Sequence, residues 1–453
     1  MPHSQLLAYL SLFVGLAGLY LFTLSPTVTT AYGGADGGEL ATAVALGGVA
    51  HPPGYPTYLL LGRVALLLPG GEVAGRLAAL NALCLALAAS VLAATIVQLP
   101  TAAAPGPRLL AASVAALSFG LDRRIWEQAL IVEVYAAATL FLALLLWLTA
   151  RWWRWHAPQT LAAAGLVLGL GLGIQLPLAA WLVGAVAVWG ADRRRTWRGA
   201  ATRSDTGWIK TMGPFVALLL LGLSVYALLP WRGRAVPQAS WGDWRTLDGA
   251  LDHITAREYT YLADIVPWNV RLSRVSYALR DLVGGLGWLG SGLALAGVLG
   301  AGAALRRWGW LLGGIAGATL LWATSYGGAD GAVYLLPLHL IGAFYAGVGA
   351  LLALAWLERH APGRWRWTLV VPLALVVLAL LQAPSISLRD ITADRDRALA
   401  WLQAAPPAGT ITTQADADTF PLWYAQKVLG VRPDVTIIDT RLCDRRWYRV
   451  RCR

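Results

Sequence analysis

Apolar residues in this chain fall in long uninterrupted blocks separated by short polar loops. A helix crossing a bilayer needs roughly 20 apolar residues, with about 17 the usual minimum. The intervals 6–25, 73–98, 129–150, 211–230, 281–304, 308–326, 332–357 and 367–383 meet that requirement. The run 107–121 is shorter but equally apolar, and the block 160–191 is too long for one span. Within that block Gly169, Gly171 and Gly173, followed by Gln175-Leu176-Pro177, predict two short, tightly joined helices. Small residues at that spacing also permit close helix packing. The run 56–69 has only fourteen residues and is interrupted by Arg63, too short to cross comfortably.

Short loops rich in arginine stay cytoplasmic, so basic residues fix the parity of the spans. The loop 192–210 holds six basic residues against two acids, and Arg306-Arg307 and Arg359, Arg364 and Arg366 form similar groups. Placing these inside puts 122–128, 231–280, 326–331 and everything after 384 outside. The first loop, 26–55, has no Arg or Lys and falls outside only if 56–69 lies along the interface. The expectation is eleven spans, N-terminus cytoplasmic and C-terminus extracytoplasmic. The loop 231–280 carries Trp231, Trp241, Trp244 and Trp268, which suit the headgroup layer. In the tail, 410–413 reads as a strand, 417–429 as a helix ending at Gly430, and 435–438 as a second strand. One βαβ unit is too small for its own core, so the tail is expected to pack against the external loops. The fold class is thus an all-α polytopic membrane protein with a small α/β extracytoplasmic segment. Residues 1–383 form the membrane domain, with 26–72 and 231–280 as its external regions, and 384–453 form the tail.

Composition agrees. Of 453 residues, 57% are hydrophobic and 13% charged, against about 25% charged in soluble domains. Mean hydropathy is +0.58. The net charge of +12 is almost all arginine, since Lys210 and Lys427 are the only lysines. It sits in short loops rather than along a phosphate-tracking stripe, which excludes a nucleic-acid partner and leaves the lipid bilayer. Cys84, Cys443 and Cys452 fit no zinc spacing, and pairing of the last two is left open. The first apolar run lacks a basic leader and a cleavage site, so it is expected to be retained. No internal repeat is evident, which weighs against a transporter built from inverted repeats.

Chemistry concentrates in the first loop, as Asp36-Gly37-Gly38-Glu39-Leu40 and then His51-Pro52-Pro53-Gly54-Tyr55-Pro56. Asp36 and Glu39 stand three apart, sharing a face if helical. A carboxylate there can act as general base toward a hydroxyl or hold a divalent cation; the bland alternative is a solvated loop capping a helix at 39–49. His51-Pro52-Pro53-Gly54 stiffens the entry to the interfacial helix. The second external loop offers Asp122, Arg123, Arg124 and Glu127, and Glu133 opens an apolar helix in Glu133-Val134-Tyr135. An acid at the lip of a span is costly unless used. Arg123 and Arg124 can clamp a lipid-linked phosphate or simply snorkel. Further along, Trp241-Gly242-Asp243-Trp244 and His253 to Tyr259 cluster polar groups, with His253 and Arg257 predicted to share a helix face. Asp330 and Tyr334-Leu335-Leu336-Pro337 sit at the outer end of the tenth span. Four segments therefore offer polar groups on one side of the membrane.

These motifs resemble the protein O-mannosyltransferase-like family of multi-pass GT-C glycosyltransferases, which includes the eukaryotic enzyme that mannosylates IPT domains and many bacterial members. The match rests on Asp36 to Leu40, His51 to Pro56, Glu133-Val134-Tyr135, Trp241-Gly242-Asp243, His253 to Tyr259 and Tyr334 to Pro337. Asp416 to Tyr424 and Gly430 to Asp434 resemble the family's post-membrane segment. The resemblance implies a GT-C fold, with Asp36 as catalytic base or acceptor-orienting carboxylate and Glu133 as the second-loop acid. Glu39, His51, Tyr55, Arg123, Arg124, Tyr135, His253, Arg257, Tyr259, Asp330 and Tyr334 are the expected substrate-binding residues. It further implies a polyprenyl-phosphate sugar donor used extracytoplasmically with inversion, in a bacterial plasma membrane, and chemistry without a metal or other cofactor. Mannose transfer to Ser or Thr of exported proteins is the leading expectation. A glycan or lipid acceptor is the rival, and a lipid-glycan transporter or scaffold the alternative of another class. Gln175 stands where relatives often carry histidine, which leaves that position without an assigned role.

Overall fold

The computed structural model describes residues 3–101, 103–196, 205–259, 266–328 and 331–452. The membrane part opens with α1 (His3–Thr23), α2 (Gly37–Leu46), α3 (Pro56–Ala65), α4 (Val73–Val97), α5 (Pro105–Gly120) and α6 (Arg123–Ala129). It continues through α7 (Tyr135–Trp155), α8 (Pro158–Leu172), α9 (Ala180–Thr196), α10 (Asp205–Leu223), α11 (Leu228–Ala235) and α12 (Leu247–Ile254). The last long helices are α13 (Trp268–Gly300), α14 (Arg306–Ser325), α15 (Leu336–His360) and α16 (Val370–Ile386). The tail adds α17 (Ala393–Ala404), β1 (Thr410–Thr413), α18 (Asp416–Lys427) and β2 (Thr436–Asp439).

Every interval predicted to span is helical. Among the described residues seven helices are long and apolar enough to cross a membrane, at 3–23, 73–97, 135–155, 212–235, 268–300, 331–360 and 364–386. Pro158–Leu172 and Leu176–Asp192 are shorter apolar helices, and α5 and α14 fill the two remaining predicted positions. The helices sort by burial. α4 and α7 are 72% buried over their apolar windows, whereas 212–235 and 364–386 are 11% buried. The first kind form the centre; the second turn leucines, valines and tryptophans outward, as lipid-facing helices must. Glycine close packing is realised where α8 meets α10: a Cβ on Gly169 would stand 2.9 Å from the Cα of Gly222. The chain turns at Gly173–Gln175 between α8 and the next helix, as the glycine run predicts.

Several predicted boundaries move: the span expected at 129–150 is helical over 135–155, that at 281–304 starts at Trp268, and two shifts fall in the first loop. The helix expected at 39–49 starts at Gly37 and stops at Leu46, because Gly47 takes a left-handed conformation, φ 77°, that ends it. The interfacial helix expected over 56–69 begins on Pro56, a residue suited to a helix's first turn, and closes at Ala65.

The tail is one βαβ unit with β1 and β2 parallel, Thr410 opposite Thr436 and Thr413 opposite Asp439. It is not free-standing. Asp394 accepts from the amide and hydroxyl of Thr30 at 2.7 and 2.9 Å. Glu72 gathers Arg395 at 2.7 Å, Thr27 at 2.6 Å and the Tyr424 hydroxyl at 3.1 Å. Tyr424 is fully buried within the membrane domain's core. Cys443 and Cys452 form a disulfide, and Cys84 is buried and unpaired.

Candidate active site

The first loop is bent into place before α2 begins. Tyr32 and Gly33 adopt φ of 56° and 85°, reversing the chain so that Asp36 arrives at the start of α2. The two glycines that follow meet backbone on opposite sides. A Cβ on Gly37 would lie 3.2 Å from the Val132 carbonyl oxygen, and one on Gly38 only 2.4 Å from that of Phe420. The second loop and the tail therefore press directly on α2, and side chains at these positions would hold them off.

Glu39, 3% exposed, points back at the His51 turn. Its Oε1 accepts the His51 backbone N–H at 3.1 Å, and its Oε2 lies 3.1 Å from His51 Nδ1. The other ring nitrogen, Nε2, faces the Tyr55 hydroxyl at 3.0 Å and Asp36 Oδ2 at 3.6 Å. The Pro52–Pro53 bond is cis, and Gly54 and Tyr55 both take positive φ, 91° and 45°, so the turn is sharp. Trp241 closes the cluster, its ring edge-on to His51 at 6.0 Å and packed against Phe420, Trp423 and Trp447 of the tail. Burial opposes charge on the His51 ring, but Asp36, the hydrogen bond and charge of Glu39, and Asp416 outweigh it and raise its pKa to about 9. At neutral pH His51 is an imidazolium between two carboxylates.

Tyr55 links this cluster to the rest of the site. Burial holds its hydroxyl well above the usual tyrosine range, and Tyr334, Asp36, Tyr259 and Glu133 add to the effect. Glu133 is 2% exposed. Its backbone carbonyl and that of Ile131 each accept from the Asn81 amide at 2.7 Å, which pins the entry to α7. Tyr135 and Tyr334 stack edge to face at 5.6 Å, with Tyr326 beside them. Asp36, Glu39, His51, Tyr55, Glu133, Tyr135, Tyr259 and Tyr334 thus converge from four segments. Such an arrangement can take a proton from a bound hydroxyl at Asp36 while aromatic faces hold an apolar or sugar ring.

Other candidates sit elsewhere. His253 is 4% exposed; its Nε2 donates to the Ala50 carbonyl at 2.9 Å, and its ring lies 4.7 Å from that of Trp244. Burial, with help from the charge of His51, pushes its pKa down to about 3 against that hydrogen bond. It is a neutral strut under the His51 turn. Arg257 does not share its face. The helix ends at Ile254, Ala256 takes φ 51°, and Arg257 swings out to pair with Asp252 at 2.6 Å. Arg124 is spent on the protein, bonding Asp281 and the Tyr277 hydroxyl at 2.9 Å and Glu127 at 3.2 Å. Arg123 pairs with Glu127 at 2.8 Å but keeps 55% exposure, so it is the better placed of the two for an outside anion. Asp330 lies outside the described residues.

A second polar cluster escaped the sequence. His339, 1% exposed in α15, sits between Asp122 at 2.6 Å and Asp281 at 3.1 Å. It ties α6, α13 and α15 together through Arg124. Its only sequence signal is a lone ionisable residue inside an apolar run. Asp416, whose charge reaches His51, also went unassigned. Among the described residues no group of three or more His, Cys, Asp or Glu is arranged to hold a metal ion.

Comparison with known proteins points one way. Residues 36–197 match the family described as protein O-mannosyl-transferase TMEM260 N-terminal domain, and 394–452 match TMEM260-associated domain 2. A mouse protein O-mannosyl-transferase TMEM260 is 33% identical over 264 residues, 55% of this chain and 34% of that protein. The Dictyostelium discoideum counterpart is 25% identical over 326 residues, 65% of this chain and 36% of its own length. The chain spans about a third of the length of these curated relatives. Among solved structures, ArnT from Cupriavidus metallidurans bound to undecaprenyl phosphate superimposes with TM-score 0.56 at 14% identity, covering 98% of this chain and 92% of that one. Over these two stretches this multi-pass membrane chain is similar to the TMEM260 protein O-mannosyl-transferase family, and it has the GT-C fold.

Proposed function

We propose that the chain is a membrane glycosyltransferase that moves mannose from a polyprenyl-phosphate donor to a Ser or Thr hydroxyl of an acceptor protein. The reaction takes place on the extracytoplasmic face of a bacterial plasma membrane, with inversion at the anomeric carbon. The observation that carries this reading is the convergence of Asp36, His51 and Glu39 with Glu133 and a ring of tyrosines at one rim of the helical bundle. The match of 36–197 to the O-mannosyl-transferase family model and the polyprenyl phosphate held by a solved protein of this fold support the reaction class and the donor.

Asp36 takes the proton of the acceptor hydroxyl as its oxygen bonds to the anomeric carbon. The bond from that carbon to the phosphate oxygen breaks, and the lipid phosphate leaves with the electron pair. Glu39 and Asp36 flank one imidazolium, so the cluster carries a net single negative charge at rest and becomes neutral once Asp36 holds the proton. Glu39 thereby balances the positive charge that His51 places beside Asp36. Arg123 faces the leaving phosphate, and Tyr55, Tyr135, Tyr259 and Tyr334 line the sugar side with Glu133. These steps draw on side chains alone, and transfer is expected to persist in EDTA. The deciding experiment incubates purified wild type and Asp36→Asn with labelled polyprenyl-phosphate mannose and a membrane extract. Transfer should fall by at least ~100-fold in the variant, the scale of a lost general base. Equal transfer by the two proteins would sink the assignment.

A further inference from the structure

Most arginines around the site are spent on acids; Arg63 and Arg232 are not. Among the described residues neither makes an ion pair, yet the charge of Arg63 on α3 acts on Arg232 on α11. Local packing brings them together. Leu229 of α11 stands against Gly54, two residues before α3 begins, where an added Cβ would lie 2.7 Å from the leucine Cδ1. Arg232 is three residues further on and shares that face of α11. Arg63, in the last turn of α3, donates through Nη1 to the Ala45 carbonyl at 3.0 Å, and its Nη2 lies over the turn at Gly47. Arg232 is worse provided, because its Nη1 is buried without a hydrogen-bond partner. Arg234 is already committed, donating from Nε to the Trp244 carbonyl at 2.7 Å.

A guanidinium cannot shed its proton. Two of them together, one with a buried orphan N–H, repel each other and lack the counter-charge that burial demands. An anion between them removes both penalties, and phosphate oxygens match the planar forks of paired arginines. The neighbours indicate the source of that anion. Val64 and Leu67 beside Arg63, and Trp231 beside Arg232, are all exposed. Both arginines are thus flanked by large apolar side chains turned outward, as in the headgroup layer where tryptophan anchors and arginine snorkels.

Distance excludes the sugar donor. Its phosphate is bonded to the anomeric carbon and so stands within roughly 8 Å of the base that activates the acceptor. Ala45, which Arg63 touches, lies nine residues along α2 from Asp36, roughly 14 Å at about 1.5 Å per residue. That exclusion rests on the reading of Asp36 given above; the anion site itself does not.

We propose that Arg63 and Arg232 form a lipid-phosphate site, occupied by the headgroup of an anionic phospholipid from the surrounding leaflet. The lipid bridges α3 to α11 and holds the short helix against the end of the span 212–235.

Thermal unfolding of the purified full chain in delipidated detergent tests this without turnover. Wild type should gain about 3 °C on addition of near-saturating phosphatidylglycerol, and less with phosphatidylcholine, whose phosphate already has a cation beside it. Arg232→Met keeps the aliphatic stem and removes the orphan charge. It should start at or above the wild-type midpoint and gain about 1 °C or less from the lipid. Arg63→Gln, at an exposed position, is the second variant and should lose most of the gain as well. Phosphatidylglycerol retained in native mass spectrometry should fall about tenfold in both, the scale of a lost charge-assisted hydrogen bond. Equal lipid gains in wild type and variants, or an equal gain with inorganic phosphate in place of lipid, would overturn the proposal. Displacement of the retained lipid by equimolar undecaprenyl phosphate would overturn it too, and would give the pair to the donor. A chain that shows these shifts but transfers no sugar would sink only the enzymatic reading.

Discussion

Glu39→Gln isolates the charge that holds His51 in its turn. The amide oxygen still accepts the His51 backbone N–H, held at 3.1 Å in the wild type, so the local fold has its acceptor and only the charge is lost. Lifting His51 from 6.5 to about 9 corresponds to roughly 3 kcal/mol of stabilisation by the protonated ring. The folded value lies above the unfolded one. That contribution is therefore complete below pH ~6.5 and is lost as pH rises through about 9. Burial works against the raised value, and the opposing influences are Asp36, Glu39 acting as both hydrogen-bond acceptor and charge, and Asp416. If Glu39 supplies about half, the variant loses roughly 1.5 kcal/mol near pH 6.5.

The gap should close as pH passes about 9, where the ring is neutral in both proteins. Thermal unfolding in detergent, followed by tryptophan fluorescence from pH 6 to pH 10, reads it directly. Transfer should also slow, by about tenfold, because the resting cluster becomes neutral and no longer carries the negative charge that the acceptor proton neutralises. A stability gap that stays constant or widens between pH 7 and pH 9.5 would refute the charge-based account of this turn.

His339→Ala removes the charge partner of Asp122, which is fully buried, while Asp281 keeps Arg124; it should cost about 3–5 kcal/mol in unfolding measurements, with partial recovery in the double variant His339→Leu, Asp122→Asn. Gly38→Ala places a methyl carbon 2.4 Å from the Phe420 carbonyl oxygen, so the tail should lift and the protein lose about 1–3 kcal/mol. Limited proteolysis should cut 384–453 faster than in wild type, whereas Gly15→Ala, with open space around it, should not alter the rate. Arg257→Ala should leave transfer unchanged and stability within about 0.5 kcal/mol, while His253→Ala should lower both by removing the donor to Ala50. Loss of transfer in Arg257→Ala with normal stability would return that residue to the site.

The helical framework was legible because bilayer thickness dictates apolar runs of fixed length, and the tail because β-branched runs at 410–413 and 435–438 flank a helical stretch ending in glycine. Boundaries set by a single backbone angle were not. Nothing about an alanine predicts the left-handed turn at Ala256, yet that turn separates Arg257 from His253 and decides which of them faces solvent. The His339 cluster was hidden for a different reason. Its partners lie 217 and 58 residues away in sequence, at Asp122 and Asp281, so only the packing of α6, α13 and α15 makes it visible. Arg124 was misjudged with it. Read beside Arg123 it looks like half of a phosphate clamp, but the acid that occupies it sits on another helix.

The glycine pair between Asp36 and Glu39 shows how far the site depends on segments distant in sequence. Gly38 falls within a regular helix, so the requirement is for space rather than for conformational freedom. Val132 of the second loop occupies that space at Gly37 and Phe420 of the tail occupies it at Gly38. The position of Asp36 is consequently set by three stretches at once, and Trp241 adds a fourth by bridging His51 to Phe420 and Trp423. The family matches fall on 36–197 and on 394–452 as separate units, but physically they are one. The tail's helix α18 forms a wall against the first-loop turn, and the charge of Asp416 on its first turn helps keep His51 protonated. The tail's small core, built around Phe420, Trp423 and Tyr448, is completed by Trp241 from the long loop, and the same Phe420 presses its backbone on α2, so loop, tail and first-loop helix are packed as one.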